Sequence, residues 1–235
     1  MTAKEILAQI KPLGTDGYKR VIFNHGVREP CYGVKIEELK KIQKRVKMDY
    51  PLALDLFDTG VYDAQYLAGL IADDAKMTAK DLQRWVSSPN CAAIAGTTVA
   101  WVAAGSPHGA AAALKWIDSK NEVEALAGWA TLSSLVAITE DSDLDLPLLK
   151  RLLQRAEKSM LQAPDRVRYQ MNGFVIAVGC YVAALTDAAI GAGTRLGQIT
   201  CDMGNTACQV PFAPDYIRKV QARGTIGKKR KSAKC

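Results

Sequence analysis

The chain has 235 residues, 49% of them hydrophobic and 23% charged, with a formal net charge of +7. That length supports one large or two small packed domains, and the composition is that of an ordinary soluble globular protein. No apolar run reaches the roughly 18 residues that a membrane span needs. Lys4 and Glu5 interrupt the opening stretch MTAKEILAQIKPLG where a signal peptide would be apolar, so a cytoplasmic protein without membrane association is expected.

Sustained apolar–polar alternation is missing, and helical spacing recurs instead. In VKIEELKKIQKRVK, Ile36, Leu39, Ile42 and Val46 form one stripe, and Lys35, Lys40, Lys41, Lys44, Arg45 and Lys47 form the wet face. Ala64, Leu67, Ala68 and Ile71 align in the next helix, which ends at Asp73–Asp74. TAKDLQRWV starts with Thr78 and Asp81 as N-cap and first-turn acid. SSPNCAAIAGTTVAWVAAGSP follows as an apolar helix, and Ser106–Pro107 reads as N-cap and N1 of the one after it.

Further helices fall in NEVEALAGWATLSSLVAI, DLPLLKRLLQRAEKSM, DRVRYQMNGFVIAVGCYVAAL, TDAAIGAGTRLGQI and APDYIRKVQA. Eleven or more helices joined by short turns, paired at roughly 40-residue intervals, predict an all-α fold. The expected architecture is an α-solenoid of HEAT-like antiparallel helix pairs. One domain is expected over residues 1–223, followed by a flexible basic tail at 224–235.

Six cysteines fall without CxxC pairing, and both histidines lie away from any cysteine pair, so no metal site is expected. Cys91 and Cys180 read as core residues, and a Cys201–Cys208 disulfide is not expected in a reducing compartment. GAGTRLG at 191–197 lacks the spacing and the preceding strand of a dinucleotide loop, so no cofactor is expected. His25, Arg28 and Glu29 form an acid–base trio only by adjacency in a loop.

The charge is unevenly spread: +5 over residues 1–49, −8 over 50–149, +2 over 150–217 and +8 over 218–235. Basic ends suit a polyanion, and the acidic middle region is a candidate surface for a basic protein partner. Candidate phosphate contacts are Lys228, Lys229, Arg230, Lys231 and Lys234 in the tail and Lys40, Lys44 and Arg45 on the basic helix. Arg166 and Arg168 at a helix start complete the set; the rival reading there is a helix capped by Asp165 with solvated arginines.

GVREPCYGVKIEELKKIQKRV resembles the opening segment of the DNA alkylation repair proteins, the HEAT-like-repeat DNA glycosylases, with their YGV followed by a basic helix. PLALDLFDTGVYDAQYLAGLIADD, LKWIDSKNEVEALAGWATLSSLV and VRYQMNGFVIAVG resemble later family helices in order, so the similarity covers roughly residues 20–190. It implies a stack of helical repeats with a basic concave face for duplex DNA. Active members excise N-alkylated purines without a metal, using an Asp carboxylate and flanking Trp rings from a pattern like nWD..D.

Under that resemblance Asn90 matches the family's Asn, but the Trp falls on Cys91, the first Asp on Ala92 and the later acid on Ala95. Nearby registers reach only Ala93, Ile94, Gly96 or Thr97, and no anion stands where the chemistry needs one. The expectation is a repair-family protein that binds the nucleic-acid backbone without base excision and has no catalytic residues of the family type. The alternatives are an active glycosylase using a displaced acid from Asp63, Asp73 or Asp74, and a protein-interaction scaffold.

Overall fold

A computed structural model describes residues 1–234. Thirteen α-helices and short 3-10 turns form it, with no strand among the described residues. They pack as two compact units: Met1–Ala112 with Met203–Ala207 and Lys234, and Ala113–Asp202 with Cys208–Ala233.

The first unit holds α1 (Ala3–Ile10), α2 (Asp16–Asn24), α3 (Ile36–Val46), α4 (Tyr50–Asp58), α5 (Tyr62–Ile71), α6 (Ala79–Ser87) and α7 (Ala92–Gly105). Thr2 with Glu5 and Thr78 with Asp81 close capping boxes on α1 and α6, satisfying N–H groups that the helix leaves orphaned. Thr15 and Asp49 cap α2 and α4 in the simpler way.

Helix α5 is the core of this unit. Every residue from Asp63 to Ile71 is buried, and α3, α4 and α7 pack around it. Phe57 of α4 stacks on Trp85 of α6 at 4.2 Å and 8°, and Tyr66 of α5 meets Trp101 of α7 edge-on at 5.8 Å. A Cβ on Gly69 would stand 2.5 Å from Thr98 Cγ2, so α5 and α7 meet where no side chain fits.

Asp63 is the buried charge of this core. Its carboxylate, with no solvent exposure, accepts the Tyr32 N–H at 2.6 Å and the Val34 N–H at 2.7 Å. Between them Gly33 sits at φ +75°, in the region that favours glycine, and its carbonyl accepts the Thr15 N–H at 3.0 Å. The YGV loop is therefore folded around a carboxylate on α5. Burial, with Asp63 adding to it, pushes the neighbouring Cys31 thiol up to about 12.

Helix α8 (Gly109–Trp116) leads into the second unit. Ser106 ends α7, donates its hydroxyl to the Met77 carbonyl and accepts the His108 N–H two residues on, as an N-cap does, while the regular helix begins at Gly109. The second unit continues with α9 (Glu122–Ile138), α10 (Leu146–Ser159), α11 (Asp165–Tyr181), α12 (Thr186–Leu196) and α13 (Ala213–Ala222).

Helices α9 and α11 form its main pair, joined by Trp129 against Phe174 at 5.2 Å, and α12 and α13 pack on α11. Among the described residues no single helix is long and apolar enough to cross a membrane; α11 and the following helical stretch pass only together, across a 117° bend. No disulfide joins Cys201 and Cys208.

The segment from 224, expected to be a flexible basic tail, is held against the helices. Gly227 N–H donates to the Cys180 carbonyl and Arg230 N–H to the Ala137 carbonyl. The Lys229 ammonium, on a side chain only 8% exposed, donates to the carbonyls of Val136 at 3.0 Å and Tyr181 at 2.7 Å and pairs with Asp141. These carbonyls close α9 and α11, where acceptors lack helical partners and the helix dipole favours a cation. In the first unit Lys234 does the same for α5, donating to the Ala72 carbonyl and pairing with Asp74 at 2.7 Å.

Both anchors can be tested by substitution. Asp63→Asn leaves one loop N–H facing an amide instead of a carboxylate, and the urea midpoint should fall by the equivalent of about 2 kcal/mol at unchanged slope. An unchanged midpoint would remove Asp63 as the anchor of the YGV loop. Lys229→Met strands two helix-end carbonyls and should likewise cost about 2 kcal/mol, whereas Lys231→Met at an exposed site should stay within about 0.5 kcal/mol of the parent.

Candidate nucleic-acid interface

Helix α7 begins where the family resemblance puts catalytic residues. Asn90 is spent on the fold: its N–H donates to Gln65, its side-chain oxygen accepts the Arg28 N–H, and its amide donates to the carbonyls of Pro30 and Gly60. Cys91, Ile94, Ala95, Thr98 and Val99 are buried, while Ala92, Ala93, Gly96 and Thr97 form a partly open face. A π turn over Ala95–Val99 inserts a one-residue shift into the helix. No register along 92–97 presents a carboxylate, and the Thr97 hydroxyl is already donated to the Ala93 carbonyl.

The three displaced acids are also engaged. Asp63 holds the YGV loop. Asp73 pairs with Lys76 at 3.2 Å and Asp74 with Lys234 at 2.7 Å. Burial raises the Asp74 pKa, and the Lys234 charge pulls against that rise. His25, Arg28 and Glu29 form no catalytic trio: Arg28 contributes its N–H to Asn90, and Glu29 pairs with Lys19 and accepts the Cys31 N–H.

Among the basic residues named from sequence, three are held by carbonyls of the fold and others are exposed. Lys229 and Lys234 are committed to helix ends, as described. Arg168 is committed as well, donating to the carbonyls of Thr200 and Ala163 and pairing with Asp165 at 3.3 Å. Asp165 does not cap α11, because Pro164 holds the cap position; its carboxylate accepts the Asp202 N–H. Arg166 is exposed, and Asn172 is buried with its amide on the Pro211 carbonyl.

On α3, Lys44 is exposed, Lys40 is half-buried and Arg45 is exposed with a hydrogen bond to the Gln9 side chain at 3.0 Å. Lys228, Arg230 and Lys231 are exposed on the terminal segment. Of these, Lys228 and Arg230 border a cleft in the second unit together with Lys229 and Tyr216.

Sequence reasoning passed over Tyr216, an aromatic ring 49% exposed on α13. The signal was present: Ala213, Pro214 and Ile217 are the buried stripe of that helix, and Tyr216 lies off it, beside the basic segment. The cleft wall formed by α11 includes Cys180, whose thiol burial pushes up to about 11, so it stays protonated at neutral pH.

Comparisons with known proteins agree with this architecture. The chain is 29% identical over 228 residues to uncharacterized proteins Lin0241 of Listeria innocua and Lmo0209 of Listeria monocytogenes, covering 95% of this chain and 99% of each of them. A solved structure matches all of both chains with a TM-score of 0.92 at 28% identity. It represents a new family of proteins related to the HEAT-like repeat DNA glycosylases with affinity for branched DNA structures. The helical pairs are accordingly those of a HEAT-like repeat fold. The model of the DNA alkylation repair enzyme family matches residues 6–199, most of the chain, and the protein belongs to that family.

Proposed function

We propose that this protein binds DNA, branched DNA above all, through backbone phosphates and without excising bases. The observation that carries the reading is α7: the slot for the family's Trp holds Cys91, those for its acids hold Ala92 and Ala95, and Asp63, Asp73 and Asp74 are each engaged elsewhere. An oxocarbenium-like sugar needs a preorganised anion beside it, and small apolar side chains supply none. The affinity of the solved relative for branched DNA supports the choice of ligand. Lys228, Arg230, Lys231, Arg166, Lys44 and Arg45 are the exposed cations that phosphate contacts would use. The cytoplasm is the proposed setting, consistent with Cys31, Cys91, Cys180, Cys201 and Cys208 standing outside any disulfide.

Because Lys229 and Lys234 hold helix ends, truncating the terminal segment would mix folding with binding, and point substitutions are the cleaner probe. Affinity for a labelled four-way junction should fall linearly with log salt. Replacing Lys228, Arg230 and Lys231 with Ala should flatten that slope by roughly 0.9 for each phosphate those side chains neutralise. Absent binding, or a slope untouched by the triple substitution, would sink the assignment. With an oligonucleotide carrying 7-methylguanine, excess protein should yield no abasic product above background; product formation would restore the glycosylase reading with a displaced acid.

A further inference from the structure

The second unit contains an open cleft of about 380 Å³ between α11, α13 and the terminal segment, within the roughly 300–1,000 Å³ typical of small-ligand sites. One wall is a strip of small or aliphatic residues spaced along one face of α11, among them Gly173, Ile176 and Ala177. The exposed Tyr216 on α13 also lines the cleft. Lys228 and Arg230 stand on the rim. Lys229 also borders the cleft, but its ammonium is held by two carbonyls and Asp141, so it shapes the wall.

The charge pattern selects the ligand. No carboxylate lines this cleft among the described residues, whereas two other clefts in the same unit carry Glu122 or Asp187. An open cleft with aliphatic and aromatic lining and two exposed cations suits a group with a planar ring at one end and an anion at the other. Gly173 adds a second sign of space: a Cβ there would meet only the Gln170 side-chain oxygen, at 4.0 Å. Backbone phosphates alone would need neither the ring nor the slot.

We propose that this cleft takes one unpaired nucleotide of a DNA strand, its base against Tyr216 and the Gly173–Ala177 strip and its phosphate on Lys228 and Arg230. The inference rests on the DNA-binding reading above and deepens it. Fully paired duplex keeps its bases stacked and cannot fill the slot, whereas the unpaired nucleotides at a flap or branch point can. The cleft thus provides a physical source of preference for branched over linear DNA.

The test uses the full chain and a flap substrate with 2-aminopurine at the first unpaired position, beside a fully paired duplex of equal length. The parent protein should bind the flap more tightly than the duplex and quench the 2-aminopurine on stacking. Tyr216→Ala and Gly173→Leu should each abolish the quench and weaken flap binding about ten-fold, leaving duplex affinity unchanged. Both positions border open space, and thermal melts of the two variants check that the fold persists. If both variants retain the quench and the flap preference, or the parent shows neither, the cleft assignment is overturned while DNA binding stands. If the parent binds neither substrate, the DNA-binding reading falls together with it.

Discussion

The close approach of α5 and α7 governs what the first unit can do. Gly69 leaves no space for a side chain opposite Thr98, and the helices touch nearly backbone to backbone. Such an approach demands small residues on both partners, as buried faces packed to crystal-like density do. Ala95 lies fully buried, at the start of the π turn Ala95–Val99 that packs on α5. A carboxylate at that buried position would lose its hydration. At the Ala95 slot the missing acid goes with the tight helix packing, whereas Ala92 stands on the partly open face.

Buried polar groups elsewhere obey the same accounting. Asp63 survives at zero exposure because two loop N–H groups meet its oxygens, and Gln65 survives because it donates to the carbonyls of Phe57 and Ser88 and accepts from Asn90. These side chains tie loops to α5 and so act as architecture. Asn90, the residue matched to the asparagine of the family's pattern, belongs to this network and ties its loop to Arg28, Pro30 and Gly60.

Much of the fold was legible in the sequence. The apolar stripes of α3 and α10, the capping box at Thr78 and the buried character of α7 all follow from spacing and cap chemistry. The candidate interface was legible only in part. Lys229 and Arg168 look like any other cations in a basic run, and their partners are carbonyls 48 and 32 residues away, which no local pattern encodes. Tyr216 could be placed off the buried stripe of α13, but its cleft exists only once α11 and the terminal segment are brought beside it. Charge counting over 218–235 overstated the available cations for the same reason.

The anchoring of Lys229 has a consequence for the order in which the chain matures. The carbonyls it satisfies belong to Val136 and Tyr181, made 93 and 48 residues earlier. During vectorial synthesis α9 and α11 can pair through Trp129 and Phe174 well before that lysine emerges, yet their C-terminal turns stay uncapped until it does. Closure of these helix ends therefore waits until residue 229 has been made. A nascent chain stalled short of residue 229 would hold its core while its helix ends fray.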